Sequence, residues 1–245
     1  SLWPGLLQAL SHNLNRQHDR VRLFEVGRIF TGTHDNVEQH RHIGGVVSGP
    51  RYAEQWAEKQ RPVDFFDVKA DVEALLALGG QSNIRFVAET HSSLHPGQTA
   101  RVYIDDVAVG WIGAVHPKLH KALQLSQPAF VFELTLTAVL AAEIPAFEPL
   151  SKFPAIRRDL ALLVSGTISA GEIKHCLNDV ESDILKEIQV FDVYSGEGVE
   201  QGFKSVAVAF HMQHAERTIT DDEVNSLIMT ITTQLEQKIG ATIRS

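Results

Sequence analysis

Cysteine is almost absent from this sequence, and its scarcity excludes a disulfide-stabilised scaffold. Cys176 is the only cysteine in 245 residues, so no disulfide can form within the chain and nothing requires an oxidising compartment. Ile173, Leu177 and Val180 repeat around Cys176 at helical spacing, which favours a small buried side chain over a reactive thiol.

Long apolar runs are missing as well. No run approaches the length of about 18 residues that indicates a membrane-spanning helix. The opening sequence SLWPGLLQAL lacks the basic leader and small-residue cleavage site of a signal peptide. We therefore expect no membrane span and a cytoplasmic location. Because the chain starts with Ser1 and helix-like sequence is already under way, we also expect a fragment of a longer polypeptide.

The short motifs of several enzyme classes do not occur either. The sequence has no glycine-rich phosphate loop, no dinucleotide fingerprint and no nucleophile elbow. Two histidine pairs have i, i+4 spacing, His91 with His95 and His116 with His120, but Pro96 interrupts the first and neither has the glutamate of H-E-x-x-H. We predict no catalytic residue and no metal site, and expect these histidines in caps, in turns or on the surface.

Positive charge is in short supply. The chain has 22 Lys and Arg against 30 Asp and Glu, which gives a net charge of −8. Residues 151–245 alone contain nine basic and fourteen acidic residues. This balance does not indicate nucleic-acid binding, so any such binding must depend on a local set of side chains. The apolar content of 44% is typical of globular domains.

Prolines mark a boundary between two domains. Pro145, Pro149 and Pro154 lie in EIPAFEPLSKFPAI, which has no helical periodicity and is typical of a linker. We place the boundary near residue 148 and expect domains over 1–148 and 149–245.

The first domain is predicted to be α+β with a mostly antiparallel sheet. A helix begins the chain, and strands are expected over 20–30 and 42–49 on either side of a polar, histidine-bearing loop at 31–41.

The second domain has the βαββαβ order of ferredoxin-like folds. Strands are expected over 158–164, 187–194 and 204–212, with a short one near the end of the chain. The sequences SAGE and TDDE are capping boxes that begin the two helices. This order predicts one antiparallel sheet with both helices on one face and the other face open.

Strand alternation predicts which side chains lie on that open face. We expect the bulky residues to pack on the helices and the small and polar ones to face outward. The helix-facing set is Val206, Val208, Phe210, Phe191 and Val193, and the outward set is Ser205, Ala207, Ala209, His211, Val190, Asp192 and Tyr194. An aromatic ring for stacking beside a carboxylate for base edges suits single-stranded RNA. The structural alternative is a tyrosine that half-covers an exposed sheet, with an incidental aspartate.

The motifs of both domains resemble one family. FPAIRRDLALLV, FDVYSGEG, KSVAVAF, RTITDDEV and GATIR resemble the ferredoxin-fold anticodon-binding domain that closes the β subunit of bacterial phenylalanyl-tRNA synthetases. RLFEVGRIF, LHPGQTARVYID, GWIGAVHPKLHKAL and FELTL resemble the catalytic-like module before it, which has a class II synthetase-like fold. The resemblance covers nearly the whole chain in the family's order.

The resemblance implies a part of a larger enzyme. In the family, two α and two β chains form a heterotetramer that joins phenylalanine to its tRNA with ATP and magnesium, and the α chain holds the active site. The catalytic-like module is implied to be inactive. Phe24 precedes Glu25 where an active enzyme has an arginine nearby, and no glycine-rich, arginine-bearing strand follows FVFELTL. No cofactor is implied for this fragment itself. The implied partners are the α chain and the tRNA for phenylalanine.

The resemblance also implies that the open face meets the anticodon. We expect contact with the bases from one strand pair and contact with a nearby phosphate from an arginine. The expected site residues are Asp192, Tyr194, Ser205, Ala155, Arg157 and Arg158. The alternative is a non-catalytic ferredoxin-like module that packs on a partner protein without RNA contact.

A leucine stripe on the N-terminal helix is a candidate docking surface for the α chain. Leu2, Leu6, Leu10 and Leu14 have the spacing of one helix face. The alternative is that these leucines are buried in the chain's own core.

Overall fold

The computed structural model describes residues 1–33, 35–81, 83–142, 147, 149–177 and 180–244. The chain divides into two compact units, residues 1–145 and 146–245. The boundary expected near residue 148 lies outside the described residues, and so does His34 of the predicted polar loop. In the described part of the chain, no helix is long and apolar enough to cross a membrane.

The first unit is built on an antiparallel sheet. Over the described residues the sheet has six strands in the order β1-β2-β6-β5-β4-β3. This confirms the α+β class predicted from the sequence. Its elements are α1 (Trp3–Leu14), β1 (Val21–Thr33), β2 (Asn36–Ser48), α2 (Phe65–Ala77), β3 (Ile84–Ala88), β4 (Leu94–Ile104), β5 (Val107–Val115), α3 (Pro117–Ala122), β6 (Ala129–Thr135) and α4 (Leu136–Leu140).

Strands β1 and β2 form one long hairpin where the sequence predicted a polar loop. The pairing runs from Val21 and Ser48 to Thr33 and Asn36, so most of 31–41 is strand. The prediction of a loop was wrong because it used burial as the signal for a strand. Here the backbone hydrogen bonds between the two strands continue into a segment whose side chains are exposed on both faces.

The leucine stripe of α1 packs inside the first unit. Leu2, Leu6 and Leu10 are buried in a cluster with residues of the sheet, and Leu14 is partly buried against it. Gly44 of β2 allows this close approach, since a Cβ at that position would lie 3.3 Å from Leu6. The docking role for this stripe was therefore wrong, and burial in the chain's own core is the correct interpretation.

The second unit has the ferredoxin-like topology predicted from the sequence. Over the described residues its four-stranded sheet has the order β10-β7-β9-β8, antiparallel throughout. The helices cover one face, and side chains of both helices share a core with the bulky residues of β9. The elements are β7 (Ile156–Ser165), α5 (Ala170–Leu177), β8 (Leu185–Tyr194), β9 (Phe203–Met212), α6 (Asp221–Ile239) and β10 (Thr242–Ile243).

Both predicted capping boxes begin their helices. At α5 the backbone N–H of Ser169 donates to Glu172 at 2.7 Å, and the N–H of Glu172 donates to the Ser169 hydroxyl at 3.1 Å. Thr220 and Glu223 make the same reciprocal pair at α6. Gly240 ends α6 in the left-handed conformation, with φ at 64°. Because α6 ends at Gly240, β10 can begin at Thr242, where it pairs with β7 at the edge of the sheet.

Candidate nucleic-acid interface

The strand register sets the outward side chains of the second sheet in rows. Ser205 of β9 pairs with Tyr194 of β8. In the next row Ala207 pairs with Asp192 on one side and with Ala161 of β7 on the other. Asp192, Tyr194 and Ser205 therefore share the face opposite the helices, and we call this face the platform.

A β-bulge turns Phe191 to the platform. Val190 pairs with Val208 and Asp192 pairs with Ala207, so Phe191 and Asp192 together oppose a single residue of β9. Phe191 is 47% exposed, whereas Val190 packs against the helix-side core. The predicted sides of Phe191 and Val190 were both wrong, because strict alternation fails at an inserted residue.

The ring of Tyr194 is positioned by the turn that follows β8. Its hydroxyl donates to the carbonyl oxygen of Glu197 at 3.2 Å. Gly196 is needed for this contact, since a Cβ there would lie 2.7 Å from the Tyr194 oxygen. The ring remains 43% exposed, while the neighbouring Ser205 is only 8% exposed. The platform thus presents a fixed aromatic ring with the serine hydroxyl at its floor.

Asp192 is exposed and keeps acceptor capacity for a ligand. Its Oδ1 accepts the backbone N–H of Val193 at 2.9 Å, and no partner of Oδ2 is found among the described residues. Val193 pairs with Val206 of the core face yet is 54% exposed, so its predicted packing on the helices was also wrong. The C-terminal end of β8 therefore lies outside the core, and Asp192 is exposed to solvent there.

The two arginines of β7 face opposite sides of the sheet. The Nε and Nη2 of Arg157 donate to the two carboxylate oxygens of Asp159 at 2.7 and 3.2 Å. This bidentate bond raises the pKa of Arg157. The Arg157 guanidinium also lies over the Phe191 ring, 5.0 Å from its centre. Arg158 faces the helix layer instead, with Nη2 3.9 Å from a carboxylate oxygen of Asp221 in α6.

The remaining predicted residue, Ala155, is exposed and lies just before β7, two positions from Arg157. His211 occupies the same row of the platform as Arg157 and Glu187. Its Nε2 is buried and has no hydrogen-bond partner in the part of the chain that the structure describes. The structure thus brings Asp192, Tyr194, Ser205 and Arg157 to one face and places Arg158 on the other.

The paired histidines of the first unit support turns. His91, His95 and His116 each accept, through Nδ1, a backbone N–H two residues further on, at 3.0 to 3.1 Å. His120 bonds through Nε2 to the carbonyl oxygen of Gln127 at 3.0 Å. Among the described residues, no group of three or more His, Cys, Asp or Glu side chains is placed to hold a metal ion.

A buried carboxylate in the first unit was missed by sequence reasoning. Glu133 of β6 is 8% exposed and accepts the backbone N–H of Leu2 at 2.7 Å, at the start of α1. Its other oxygen lies 3.0 Å from Nδ1 of His42. A lone glutamate in the apolar strand AFVFELT was the available signal. The arrangement satisfies a free helix N–H and anchors α1 to the sheet.

One apolar surface of the first unit is exposed along the β1–β2 hairpin. Phe24 and Phe30 are 74% and 64% exposed, and Val26 and Val37 are about half exposed. All four side chains lie on one face of the hairpin. Phe24, Val26 and Phe30 are separated by even numbers of residues along β1, so their side chains point to the same side. Val37 of β2 pairs with Gly32, which is on that same side of β1. We call these four residues the hairpin strip. Exposed apolar patches of this kind on an edge strand mark interaction surfaces.

Comparison with known proteins places both units in one family. The model of the phenylalanyl tRNA synthetase beta chain CLM domain matches residues 1–136, and that of the ferredoxin-fold anticodon binding domain matches residues 151–244. The chain is 48% identical to the phenylalanine–tRNA ligase beta subunit of Pseudomonas savastanoi pv. phaseolicola and 49% identical to that of Pseudomonas fluorescens Pf0-1, each over 245 residues. It is 48% identical to that of Nitrosococcus oceani over 246 residues.

These matches cover 100% of this chain and 31% of each relative, so the chain spans about a third of the length of the curated relatives it matches. Among solved structures, the chain is similar to a pyrrolysyl-tRNA synthetase from Desulfitobacterium hafniense. That likeness has a TM-score of 0.41 and 16% identity, over 57% of this chain and 47% of the other. With one family model over more than half of its residues and a second over the remaining unit, this chain belongs to the phenylalanyl-tRNA synthetase β-chain family.

Proposed function

We propose that the platform binds the anticodon of the tRNA for phenylalanine. The observation that carries this proposal is the juxtaposition of Asp192 with two exposed aromatic rings, Phe191 and Tyr194, on a sheet face free of helices. Single-stranded RNA is recognised by stacking of unpaired bases on aromatic rings and by hydrogen bonds to base edges. The name of the domain model that matches this unit supports the same ligand.

Each platform residue has a distinct role in this proposal. The free oxygen of Asp192 accepts from the Watson–Crick edge of a guanine, and Tyr194 stacks on a splayed base. Ser205 offers its hydroxyl to a group inserted beside Tyr194. Ala155 lies before β7, beyond Arg157 as seen from the row of Asp192. Arg157 covers Phe191 with its charge largely balanced by Asp159.

At the scale of the enzyme, we propose that this chain is part of a phenylalanine–tRNA ligase. The α subunit would carry out ATP- and magnesium-dependent charging, and two α and two β chains would assemble in the cytoplasm. The first unit would support the α subunit by contact through the hairpin strip, which replaces the leucine stripe as the docking candidate. The relatives' names and the exposed apolar side chains of the strip support this assignment.

The competing function is a protein-packing module with no RNA contact. The two differ in what Asp192 does. If Asp192 reads a base, Asp192→Ala in the assembled enzyme should weaken charging of wild-type tRNA more than charging of a tRNA altered at the first anticodon base. We expect a loss of roughly 5- to 150-fold for the wild-type tRNA, since one base-edge contact is worth about 1–3 kcal/mol.

Glu187→Ala is the matched control for this experiment. Glu187 is another carboxylate of β8 on the same face, in the row of His211, and we expect its removal to change charging of both tRNAs little. Equal losses for both tRNAs on Asp192→Ala would remove the base-reading role and favour the packing module.

A further inference from the structure

A third arginine reaches the platform from the opposite edge of the sheet. The backbone N–H of Arg244 donates to the carbonyl oxygen of Ala161 at 2.8 Å, directly after β10. Thr242 and Ile243 pair with Leu163 and Leu162, so the same antiparallel register sets Arg244 beside Ala161. Because Thr242 shares the platform face with Leu163, alternation places Arg244 on that face as well.

Arg244 therefore begins a row that ends at Asp192. The row crosses all four strands, from Arg244 through Ala161 and Ala207 to Asp192. Neighbouring strands lie about 4.8 Å apart, so the two charged residues are separated by roughly 14 Å of backbone. Two alanines form the floor between them. The row thus has a cation at one end, a carboxylate at the other and no large side chain in the middle.

Among the described residues, the guanidinium of Arg244 is an uncommitted cation on the platform face. The side chain is exposed, and no hydrogen bond or ion pair of its guanidinium is found within the residues that the structure describes. Its Nη2 lies beside the β8–β9 turn, 3.2 Å from the position that a Cβ on Gly198 would take. Arg157, the other arginine that the strand register sets on this face, donates from Nε and Nη2 to the carboxylate of Asp159.

We propose that Arg244 is the phosphate-binding residue of the platform and contacts the backbone of the RNA strand whose base is read by Asp192. This proposal rests on the proposed function and assigns the phosphate contact to a residue that sequence reasoning did not select. A guanidinium with free donors matches a phosphodiester in charge and geometry. The two alanines of the row place no large side chain between the backbones of Arg244 and Asp192. Because the unit has an excess of acidic residues, its attraction to phosphate depends on where individual cations are placed.

The test measures how binding depends on salt. The 245-residue chain is titrated with a synthetic RNA stem-loop that carries the phenylalanine anticodon, over a range of salt concentrations. Each phosphate contact to a single strand contributes about 0.7 to the slope of log affinity against log salt. We expect Arg244→Gln to lower the magnitude of this slope by about 0.7 and Arg244→Lys to retain it. The backbone bond to Ala161 is unaffected by either change, so β10 should stay in place.

Lys174→Gln is the control for a simple change in net charge. Lys174 is exposed on α5, in the helix layer on the other side of the sheet, and we expect its variant to keep the wild-type slope. If Arg244→Gln and Lys174→Gln both keep that slope, Arg244 is not a phosphate contact. The platform would still bind RNA in that case, provided that Asp192→Ala weakens binding of the stem-loop. If the wild-type chain does not bind the stem-loop, or binding ignores Asp192, the proposed function fails and the role of Arg244 fails with it.

Discussion

At the scale of single residues, two phenylalanines on neighbouring strands have opposite environments. Phe191 lies on the platform at 47% exposure, and Phe210 of β9 is fully buried among helix side chains. Phe191 keeps a cation–π contact with Arg157 but is outside the core cluster. Since the side chain is the same, the difference in burial comes from the β-bulge, which turns Phe191 away from the core.

We predict that the two phenylalanines differ sharply in their contribution to stability. Phe210→Ala should lower the free energy of unfolding by about 3–5 kcal/mol through loss of buried area and a residual cavity. Phe191→Ala should cost only about 0.5–1 kcal/mol, the value of an exposed cation–π pair. Urea unfolding of the two variants measures both values. A loss of several kcal/mol for Phe191→Ala would place its ring in the core and contradict the bulge.

Sequence reasoning at this scale succeeded where alternation was regular. Ser205, Tyr194 and Asp192 were assigned to the correct face because β9 has no insertion and the register after the bulge returns to period two. Phe191 and Val190 were misassigned because no residue type marks the bulge. Arg244 was missed because a two-residue strand carries too short a pattern to show which side chain crosses the sheet.

At the scale of elements, α6 depends on a charged cap. Glu223 accepts from Arg217 and from the backbone N–H and hydroxyl of Thr220. The hydrogen bond from Arg217, followed by those from Thr220, lowers the pKa of Glu223 from 4.5 to about 2. The ionised carboxylate is therefore favoured more in the folded than in the unfolded chain.

We predict a pH-dependent loss of this contribution. Since the pKa is depressed on folding, the stabilisation by Glu223 is complete above pH 4.5 and is lost as the pH falls towards 2. The difference in unfolding midpoint between the wild type and Glu223→Gln should thus be largest near neutral pH and shrink on acidification below pH 4.5. Asp222→Asn is the matched control. Asp222 lies in the same first turn of α6, and its side chain makes no hydrogen bond or ion pair with the described residues. A gap that stays constant with pH would show that the cap does not depend on ionisation.

The β1–β2 hairpin is the second element with a function to test. Phe24 and Phe30 are exposed, so Phe24→Ser and Phe30→Ser in the complete β subunit should change its stability by no more than about 0.5 kcal/mol. We predict that the two substitutions together reduce the yield of complex with co-expressed α subunit. Leu6→Ala is the contrast, because Leu6 is buried and its truncation should cost about 2–5 kcal/mol. Normal assembly of the double variant would remove the hairpin strip as the docking surface.

At the scale of the whole molecule, sequence signals and structure agree on architecture more than on surfaces. Capping boxes, glycine stops and apolar periodicity predicted the helices and the ferredoxin-like order, because these signals act locally and agree with one another. The exposed half of the β1–β2 hairpin and the packing of α1 were not predicted. Both depend on contacts between distant segments, which a pattern within one segment does not encode.

The charged groups of the first unit lead to a prediction about catalysis. An enzyme that binds and activates ATP needs cationic side chains that are free to contact the phosphates, or side chains that hold a metal ion beside them. The described residues contain no cluster able to hold a metal ion, and several arginines of the first unit are already paired with aspartates. These pairs are Arg22 with Asp71, Arg51 and Arg61 with Asp67, and Arg85 with Asp106.

We therefore predict that the 245-residue chain alone does not activate phenylalanine. Phenylalanine-dependent exchange of pyrophosphate into ATP should stay at background for the purified chain, while the same assay on the assembled enzyme with α subunit gives full activity. Because Asp67 and its two arginines hold the start of α2, freeing those arginines by Asp67→Asn should reduce stability without producing exchange. Exchange above background by the chain, free of α subunit and abolished by substitution within residues 1–136, would show an active site in the first unit and contradict its supporting role.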